Sequence, residues 1–311
     1  MTRAKKSANN DPSYKSLKAD YYPVQRQVNL GTLTASATST YTLDVARQLS
    51  VVNHRLYRQG KTYQVKIDMD NRAAADFSQQ YEVYALADTW YVQKAWQLAR
   101  ARYLMNTADE RAVMSQQQIA RWEDFRVTSG IVGTGTIVPY RYSPALAAAD
   151  DTSGEFEISQ ITLADGTTRR SFSWGDTPSA SEFGILLEYD KSGGTDPSPA
   201  TSSGAKAYAG TEGDVSETTQ DDLQDHGDLP PYNNTNFNTR VWVKVATLDN
   251  SVAAGPTVAG GHSRMSTGFF NAPCGLVVIK GSTPNDNIDG RLSLTVKAGK
   301  YKGTAAMNMG V

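Results

Sequence analysis

The side chains that could perform acid–base, nucleophilic or metal chemistry are few and scattered along this 311-residue chain. The three histidines, His54, His226 and His262, lie far apart, and none of them has metal-ligand or catalytic-triad spacing. Cys274 is the single cysteine, which excludes an intramolecular disulfide, and its neighbours indicate a small buried side chain. The sequence therefore predicts no catalytic set, no metal site and no cofactor, and we expect that the protein is not an enzyme.

Three short motifs do not change that prediction. The segment GTGT at 133–136 lacks the strand, helix and lysine of a phosphate-binding loop. The segment GGHSRMSTG at 260–268 has serines near a histidine but lacks the spacing of a nucleophile elbow. Several carboxylates between 221 and 228 could approach a hard cation, but the ligand order and glycine of a calcium loop are missing. We therefore interpret this last segment as a solvated acidic loop.

Charge is distributed unevenly, although the formal net charge is only -1. Residues 190–230 contain nine acids and two lysines, a local charge of -7, which leaves +6 for the rest of the chain. Residues 1–20 are polar and basic, with few apolar side chains, and we predict a flexible arm. Such an arm can neutralise phosphates without reading sequence. The alternative is a charged tail and a charged loop that only keep the protein soluble.

Alternation of apolar and polar residues predicts β-structure over most of the chain after residue 23. Early strands are predicted within 24–33, 39–52, 61–71 and 79–88. Later strands are predicted in a hairpin at 154–174 and within 182–189, 239–248, 274–281 and 290–301. The residues from 190 to 238 are rich in Gly, Ser, Thr, Pro and Asp, which indicates a long acidic loop.

One stretch departs from the β period, ADTWYVQKAWQLARARYLM at 87–105. Asp88 or Thr89 can cap a helix there. Apolar side chains then recur on one face at helical spacing, namely Val92, Ala95, Trp96, Ala99 and Tyr103. A second, weaker helical pattern begins near residue 107. We therefore predict a helical insertion between strands at about 88–125.

The order of these parts resembles the single jelly-roll coat proteins of small icosahedral viruses. It is most similar to those of circular single-stranded DNA viruses that encode a rolling-circle replication protein. The resemblance implies a mainly β fold, with the arm at 1–20 and one antiparallel jelly-roll sandwich at 21–311. It also implies that copies of the chain self-assemble inside the host cell into a closed icosahedral (T=1) shell, so that the protein is found in the virion.

The same resemblance assigns roles to particular side chains. In such coat proteins the arm faces inward and contacts the packaged genome, which is expected here to be single-stranded DNA. That role would fall on Arg3, Lys5, Lys6, Lys15 and Lys18. Because this arm is less basic than the arginine-rich arms of the family, Arg and Lys on the inner wall, counterions or both must help to neutralise the genome. Inserted helices pack on the flank or against a neighbouring subunit, and the buried aromatic surface would come from Trp90, Trp96, Tyr103 and Trp122.

Two other classes of protein fit the same residues. A tail or decoration protein of a bacteriophage would share the Thr-, Gly- and Ser-rich strands. A carbohydrate-binding β-sandwich could use the five tryptophans and sixteen tyrosines. The apolar runs are too short to span a bilayer, so no membrane partner is expected. The assembled form discriminates these classes, because only a coat protein closes into uniform shells.

Overall fold

The computed structural model describes residues 23–34, 38–69, 80–113, 123–131, 135–136, 140–143, 146–150, 157–163, 167–175, 179–191, 241–249, 265–282 and 289–310. The protein is mainly β, with antiparallel sheets and few helices, which is consistent with a β-sandwich. The arm predicted at 1–20, Trp122 and nearly all of the acidic loop predicted at 190–238 lie outside the described residues.

The strands and helices are as follows. The strands are β1 (Gln27–Thr34), β2 (Thr40–Asp44), β3 (Lys61–Met69), β4 (Gln80–Leu86), β5 (Gly135–Thr136), β6 (Tyr140–Ser143), β7 (Leu146–Asp150), β8 (Gln160–Thr162), β9 (Arg169–Ser173), β10 (Glu182–Gly184), β11 (Trp242–Asp249), β12 (Phe270–Ala272), β13 (Leu276–Gly281), β14 (Asp289–Val296), β15 (Ala298–Gly299), β16 (Gly303–Thr304) and β17 (Ala306–Asn308). The helices are α1 (Val45–Asn53), α2 (Trp90–Asn106), α3 (Ala108–Val113) and α4 (Ile185–Lys191), with a 3-10 turn at Pro273–Gly275.

Two sheets dominate the described fold. The first has the order β1-β14-β3-β12, and β17 also pairs with β3. The second has the order β11-β4-β13-β2-β5. Their pairs are antiparallel except for the short parallel pair of β2 with β5. Because β1 to β4 alternate between the two sheets, the chain crosses from one sheet to the other at each connection.

The alternating pattern of the strands places one face of each sheet in a shared core. In β3, Val65 and Ile67 are fully buried. Lys66 and Asp68, which alternate with them, form an ion pair of 2.8 Å on the outer face. Val65 and Ile67 belong to the same apolar cluster as residues of β4 and β13 in the second sheet. The strands predicted within 24–33, 61–71 and 79–88 are confirmed, as are those within 239–248, 274–281 and 290–301.

The prediction of a single strand over 39–52 is wrong in its second half. The strand ends at Asp44, whose Oδ1 accepts a hydrogen bond of 3.0 Å from the backbone N–H of Arg47 and caps helix α1. Val45 and Leu49, one helical turn apart, are fully buried in the sandwich core. Helix α1 ends at His54, which adopts a left-handed conformation with φ of 49°.

The prediction of a strand over 182–189 is also largely wrong. Only Glu182–Gly184 is a strand, and helix α4 follows it directly. Ile185, Leu186 and Tyr189 are buried at helical spacing. An apolar run of this length fits a buried strand and a buried helix equally well, so periodicity could not decide between them.

The connection between β4 and β11 contains a small three-stranded sheet. The hairpin predicted within 154–174 is confirmed as the antiparallel pair of β8 and β9, and β10 pairs with β9 in parallel. Residues 87–241 connect β4 to β11, which are neighbours in the second sheet. The backbone N–H of Ala87 donates a hydrogen bond of 2.7 Å to the carbonyl of Val241. This long connection therefore begins and ends side by side.

Candidate functional site

Helix α2 is the longest helix among the described residues, and its sequence explains its position. Thr89 caps it, with Oγ1 accepting a hydrogen bond of 3.5 Å from the backbone N–H of Val92. One face is buried, comprising Tyr91, Val92, Ala95, Trp96 and Ala99. The predicted helix and its apolar face are confirmed over Trp90–Asn106, whereas residues 123–125, at the end of the predicted insertion, are not helical.

The buried face of α2 forms one side of a second apolar cluster, which we call the aromatic flank. Its rings include Trp96, Tyr103, Phe125, Phe172 and Phe183. The centroid of Phe125 lies 5.9 Å from that of Trp96, 5.3 Å from Tyr103 and 5.1 Å from Phe172. Edge-to-face and tilted contacts of this kind stabilise a core beyond the area that they bury.

Trp96 also packs against the residue that precedes β3 of the sandwich. A Cβ atom at Gly60, the residue before β3, would lie 2.6 Å from Cζ2 of Trp96. No side chain fits in that space, so the glycine permits the indole to pack against the backbone. The flank and the sandwich are therefore joined directly through Gly60 and Trp96.

The predicted aromatic residues thus divide into different environments. Trp96 is 5% exposed and Tyr103 is half-buried in the aromatic flank. Trp90 begins α2 one residue before the buried face and stays 63% exposed, and among the described residues its ring contact is with its neighbour Tyr91 at 6.0 Å. Trp122 lies outside the described residues. Of the predicted aromatic residues that the structure describes, Trp96 and Tyr103 therefore contribute to the buried surface within one chain, and Trp90 does not.

Other large apolar side chains share the surface with Trp90. On the helices, Met105 is 67% exposed and Val113 is 87% exposed. Between β11 and β17, Val243, Phe269 and Met307 are each at least half exposed. Contiguous exposed apolar patches are typical of surfaces that bind another chain, whereas apolar side chains exposed singly are common.

The flank also carries an apolar groove of about 350 Å³ between α2, α4 and the small sheet. Its walls include Leu98, Ile161, Phe172, Phe183 and Tyr189. Arg102 and Glu188 also line it, so the groove can accept an apolar side chain beside one group of each charge.

A polar cluster connects α1 with the segment before the small sheet, and sequence analysis missed it. Gln59 is 1% exposed, and its Nε2 donates to Oδ2 of Asp44 and to the carbonyl of Val127, both at 3.1 Å. Oε1 of Gln59 accepts from the Val127 N–H at 2.6 Å, and the Gln59 N–H donates to Oδ2 of Asp124 at 2.8 Å. The only sequence signal was the capping position of Asp44 before an apolar pair.

Burial governs the acidity of this cluster. It raises the pKa of Asp44 to about 6, against the opposing effect of the hydrogen bonds from Arg47 and Gln59. Burial also raises the pKa of Asp124. A pocket of about 380 Å³ beside them is lined by Asp44, Arg126 and Glu182 among others. Both carboxylates are already engaged in holding backbone and amide groups, so their arrangement is that of a structural bridge.

The remaining reactive groups have structural positions as well. Cys274 is fully buried beside the aromatic flank, as predicted, and burial raises the pKa of its thiol, which disfavours the reactive thiolate. In the part of the chain that the structure describes, no group of three or more His, Cys, Asp or Glu side chains could hold a metal ion. His226 and His262 lie outside that part.

The five basic residues predicted to contact nucleic acid, Arg3, Lys5, Lys6, Lys15 and Lys18, lie outside the described residues. Residues 23–26, which precede β1, are described. The Gln25 backbone N–H donates a hydrogen bond of 2.8 Å to Oδ1 of Asn53, and Nδ2 of Asn53 donates one of 3.0 Å to the Gln25 carbonyl. The chain therefore enters β1 beside the last residue of α1.

Comparison of the chain with models of protein families, with curated proteins and with solved structures gave no match. Among the described residues, no helix is both long enough and apolar enough to cross a membrane. A functional conclusion must therefore be drawn from the strand order, the exposed surfaces and the charge of this chain.

Proposed function

We propose that this chain is the coat protein of a small icosahedral virus with a single-stranded DNA genome, and that its sandwich is a jelly roll. The observation that carries the proposal is the strand order. Taken along the chain, the eight principal strands are β1, β2, β3, β4, β11, β12, β13 and β14. The first pairs with the eighth, the second with the seventh, the third with the sixth and the fourth with the fifth, all antiparallel.

Such nested pairing is the pattern of one long hairpin. Two further contacts, β14 with β3 and β13 with β4, wrap that hairpin into two sheets. A double-sheet sandwich of eight strands made in this way is a jelly roll, the architecture of many viral shell domains. Because jelly rolls also occur in lectins, the fold alone does not select a function, and the surfaces carry the rest of the argument.

The helices fit this architecture as additions between the strands of a jelly roll. Helix α1 occupies the connection from the second principal strand to the third, and α2, α3 and α4 occupy the connection from the fourth to the fifth. Trp96 anchors α2 to the sandwich at Gly60, so this flank is a rigid part of the proposed shell wall.

Assembly would bury apolar surface that one chain leaves exposed. Trp90, Met105 and Val113 on the helices are exposed by more than 60% each. A large ring that becomes fully desolvated at a contact is the usual centre of binding energy in an interface. Repetition of the same contact around closed symmetry would remove every copy of these side chains from water.

Charge would couple assembly to packaging. The arm residues Arg3, Lys5, Lys6, Lys15 and Lys18 would face inward and neutralise phosphates, while the acidic segment within 190–230 would face outward, away from the genome. The work of the protein would then be mechanical, with other copies of the chain and the genome as its partners and the virion as its location.

The test is negative-stain electron microscopy of the purified full-length protein, with the ratio of absorbance at 260 and 280 nm recorded on the same fraction. Uniform closed shells with nuclease-protected nucleic acid are expected. Tubes, trimers or spikes would favour a bacteriophage tail or decoration protein. A monomer at every salt concentration and pH would contradict the proposal and favour a sugar-binding sandwich, which a glycan array would then test.

A further inference from the structure

Four cations from two separate segments meet at the end of the first sheet where the arm joins β1. We call this surface the basic end. It consists of Arg55, Arg58, Lys61 and Lys302. The first three follow helix α1, and Lys302 lies in the turn between β15 and β16.

Hydrogen bonds hold the two segments together. The hydroxyl of Tyr57 donates to the carbonyl of Lys302 at 2.9 Å, and Nζ of Lys302 donates to the carbonyl of Leu56 at 2.5 Å. The backbone N–H of Arg58 donates to the hydroxyl of Tyr301 at 3.2 Å. These bonds cross between residues far apart in sequence, so the cations are placed by the fold.

An aromatic ring lies beneath the cations. Nζ of Lys61 is 4.1 Å from the centroid of the Tyr301 ring, and Nζ of Lys302 is 5.5 Å from it. Tyr57 packs edge-on against the same ring at 6.0 Å. Cation–π attraction therefore stabilises the ammonium groups where they are, and the half-buried Tyr301 remains accessible from solvent.

Among the groups that act on Lys302, the cations Arg58, Arg55 and Lys61 outnumber the acid Asp124. Burial and then the neighbouring Arg58 lower the pKa of Lys61, and the same two causes lower the pKa of Lys302. Among the described residues, the acid that acts on both lysines is Asp124, which is 6% exposed and already pairs with Arg58 at 3.6 Å. Repulsion between these cations costs stability in the free chain, and a bound anion would remove that cost.

Gln25 and Arg26, which precede β1, contact both segments that carry this surface. Gln25 is bonded to Asn53 of α1, two residues before Arg55. The next residue, Arg26, donates a hydrogen bond of 3.3 Å to the carbonyl of Gly303, which follows Lys302. A polyanion that follows the basic arm toward β1 therefore arrives at the basic end.

We propose that the basic end binds the phosphate backbone of single-stranded nucleic acid and extends the contact made by the arm onto the folded wall. The inference rests on the proposed function for the identity of the nucleic acid. Clustered cations that follow the phosphate backbone are one of the features by which proteins hold single strands without reading sequence. The basic end would supply part of the charge that the weakly basic arm lacks.

The test compares two double variants of the full-length chain with equal net charge. Arg55→Gln with Lys61→Gln removes two cations of the basic end, and glutamine keeps a neutral donor at position 61, where Nζ of Lys61 donates to Oδ1 of Asn308 at 2.5 Å. Lys94→Gln with Lys280→Gln is the control, because both lysines are exposed and belong to other surfaces. Binding of a fluorescent oligothymidylate is measured by anisotropy over a range of salt concentrations.

Each lost phosphate contact on a single strand lowers the slope of log K against log salt by about 0.7. For the basic-end variant, the magnitude of this slope should fall by about 1.4, and the affinity at 0.1 M salt should fall by about 25-fold. The control should stay within about twofold of the parent, because surface charges are screened over about 10 Å at that salt concentration.

Equal slopes for the two variants would overturn the inference. Electron microscopy of the same preparations separates this result from a failure of the proposed function. Shells that form normally in the basic-end variant but protect less nucleic acid from nuclease would support both proposals. Absence of shells from the parent would contradict the coat function, and the anisotropy would still decide whether the basic end binds a single strand.

Discussion

Two tryptophans of helix α2 provide a matched pair for testing the structure. Trp96 is 5% exposed and packs against Phe125 and Gly60, whereas Trp90, on the same helix, is 63% exposed. Truncation of a buried tryptophan to alanine costs about 3–5 kcal/mol. Nε1 of Trp96 is buried and has no hydrogen-bond partner among the described residues. Because truncation also removes this unsatisfied donor, the expected loss of stability lies near the lower end of that range.

Unfolding of Trp96→Ala should therefore occur well below that of the parent. With about 2–4 °C per kcal/mol for a domain of 150–250 residues, the melting temperature should fall by roughly 6–20 °C. Trp90→Ala should change the intrinsic stability by less than about 0.5 kcal/mol. Because the proposed assembly would itself stabilise the folded chain, thermal unfolding followed by circular dichroism must be repeated over a dilution series.

The two variants should respond differently to dilution. The deficit of Trp96→Ala should persist at every protein concentration, since it arises within one chain. Any deficit of Trp90→Ala should disappear at the lowest concentration, where shells do not form. A Trp96→Ala protein that melts within 1 °C of the parent would refute the packing described here. Equal deficits for both variants at high dilution would refute the assignment of Trp90 to a contact between chains.

Three further predictions follow from other parts of the molecule. Gly60→Ala should destabilise the parent by about 1–3 kcal/mol, because the added Cβ meets Trp96; in the Trp96→Ala background, chemical denaturation should show almost none of this loss. Burial raises the pKa of Asp44 from 3.8 to about 6, so the folded state binds the proton more tightly and the free energy of unfolding should fall as pH rises from about 4 to 6. That fall is at most about 3 kcal/mol, and urea unfolding of Asp44→Asn should give a flatter, lower profile, because the amide opposes the donor of Gln59. Deletion of residues 1–18 should leave the circular dichroism spectrum and melting temperature unchanged but reduce the nucleic acid in purified particles, and an unchanged absorbance ratio would contradict the role of the arm.

Sequence patterns predicted those parts of the fold that depend on neighbours along the chain. The alternation of Val65 and Ile67 in β3 and the spacing of Val92 and Trp96 in α2 each reflect one buried face. The failures at Val45–Asn53 and Ile185–Lys191 are short apolar segments, in which distant packing and a single capping side chain decide between helix and strand.

Features that depend on contacts across the fold could not be predicted in this way. Gln59 reads as a polar loop residue, yet it is 1% exposed because Asp44 and Val127 satisfy its amide. The basic end joins Arg55 to Lys302, which only the pairing of strands brings together. Composition predicts the arm, but it does not predict the folded surface that is proposed to extend the contact of the arm.

The position of the long connection explains how one chain can carry both a regular sandwich and a large addition. Leu86 of β4 lies opposite Trp242 of β11, so residues 87–241 leave and re-enter the second sheet at neighbouring positions. Because the two ends are already held together, the entropy of closing this connection grows only slowly with its length. The nested strand pairs are left intact, while the apolar side of the addition packs against the sandwich through Trp96 and Leu276. The outward side chains of the helices and of the small sheet can therefore be substituted without changing the strand pairing. The basic end depends on that pairing, because the strands bring Arg55 and Lys302 together.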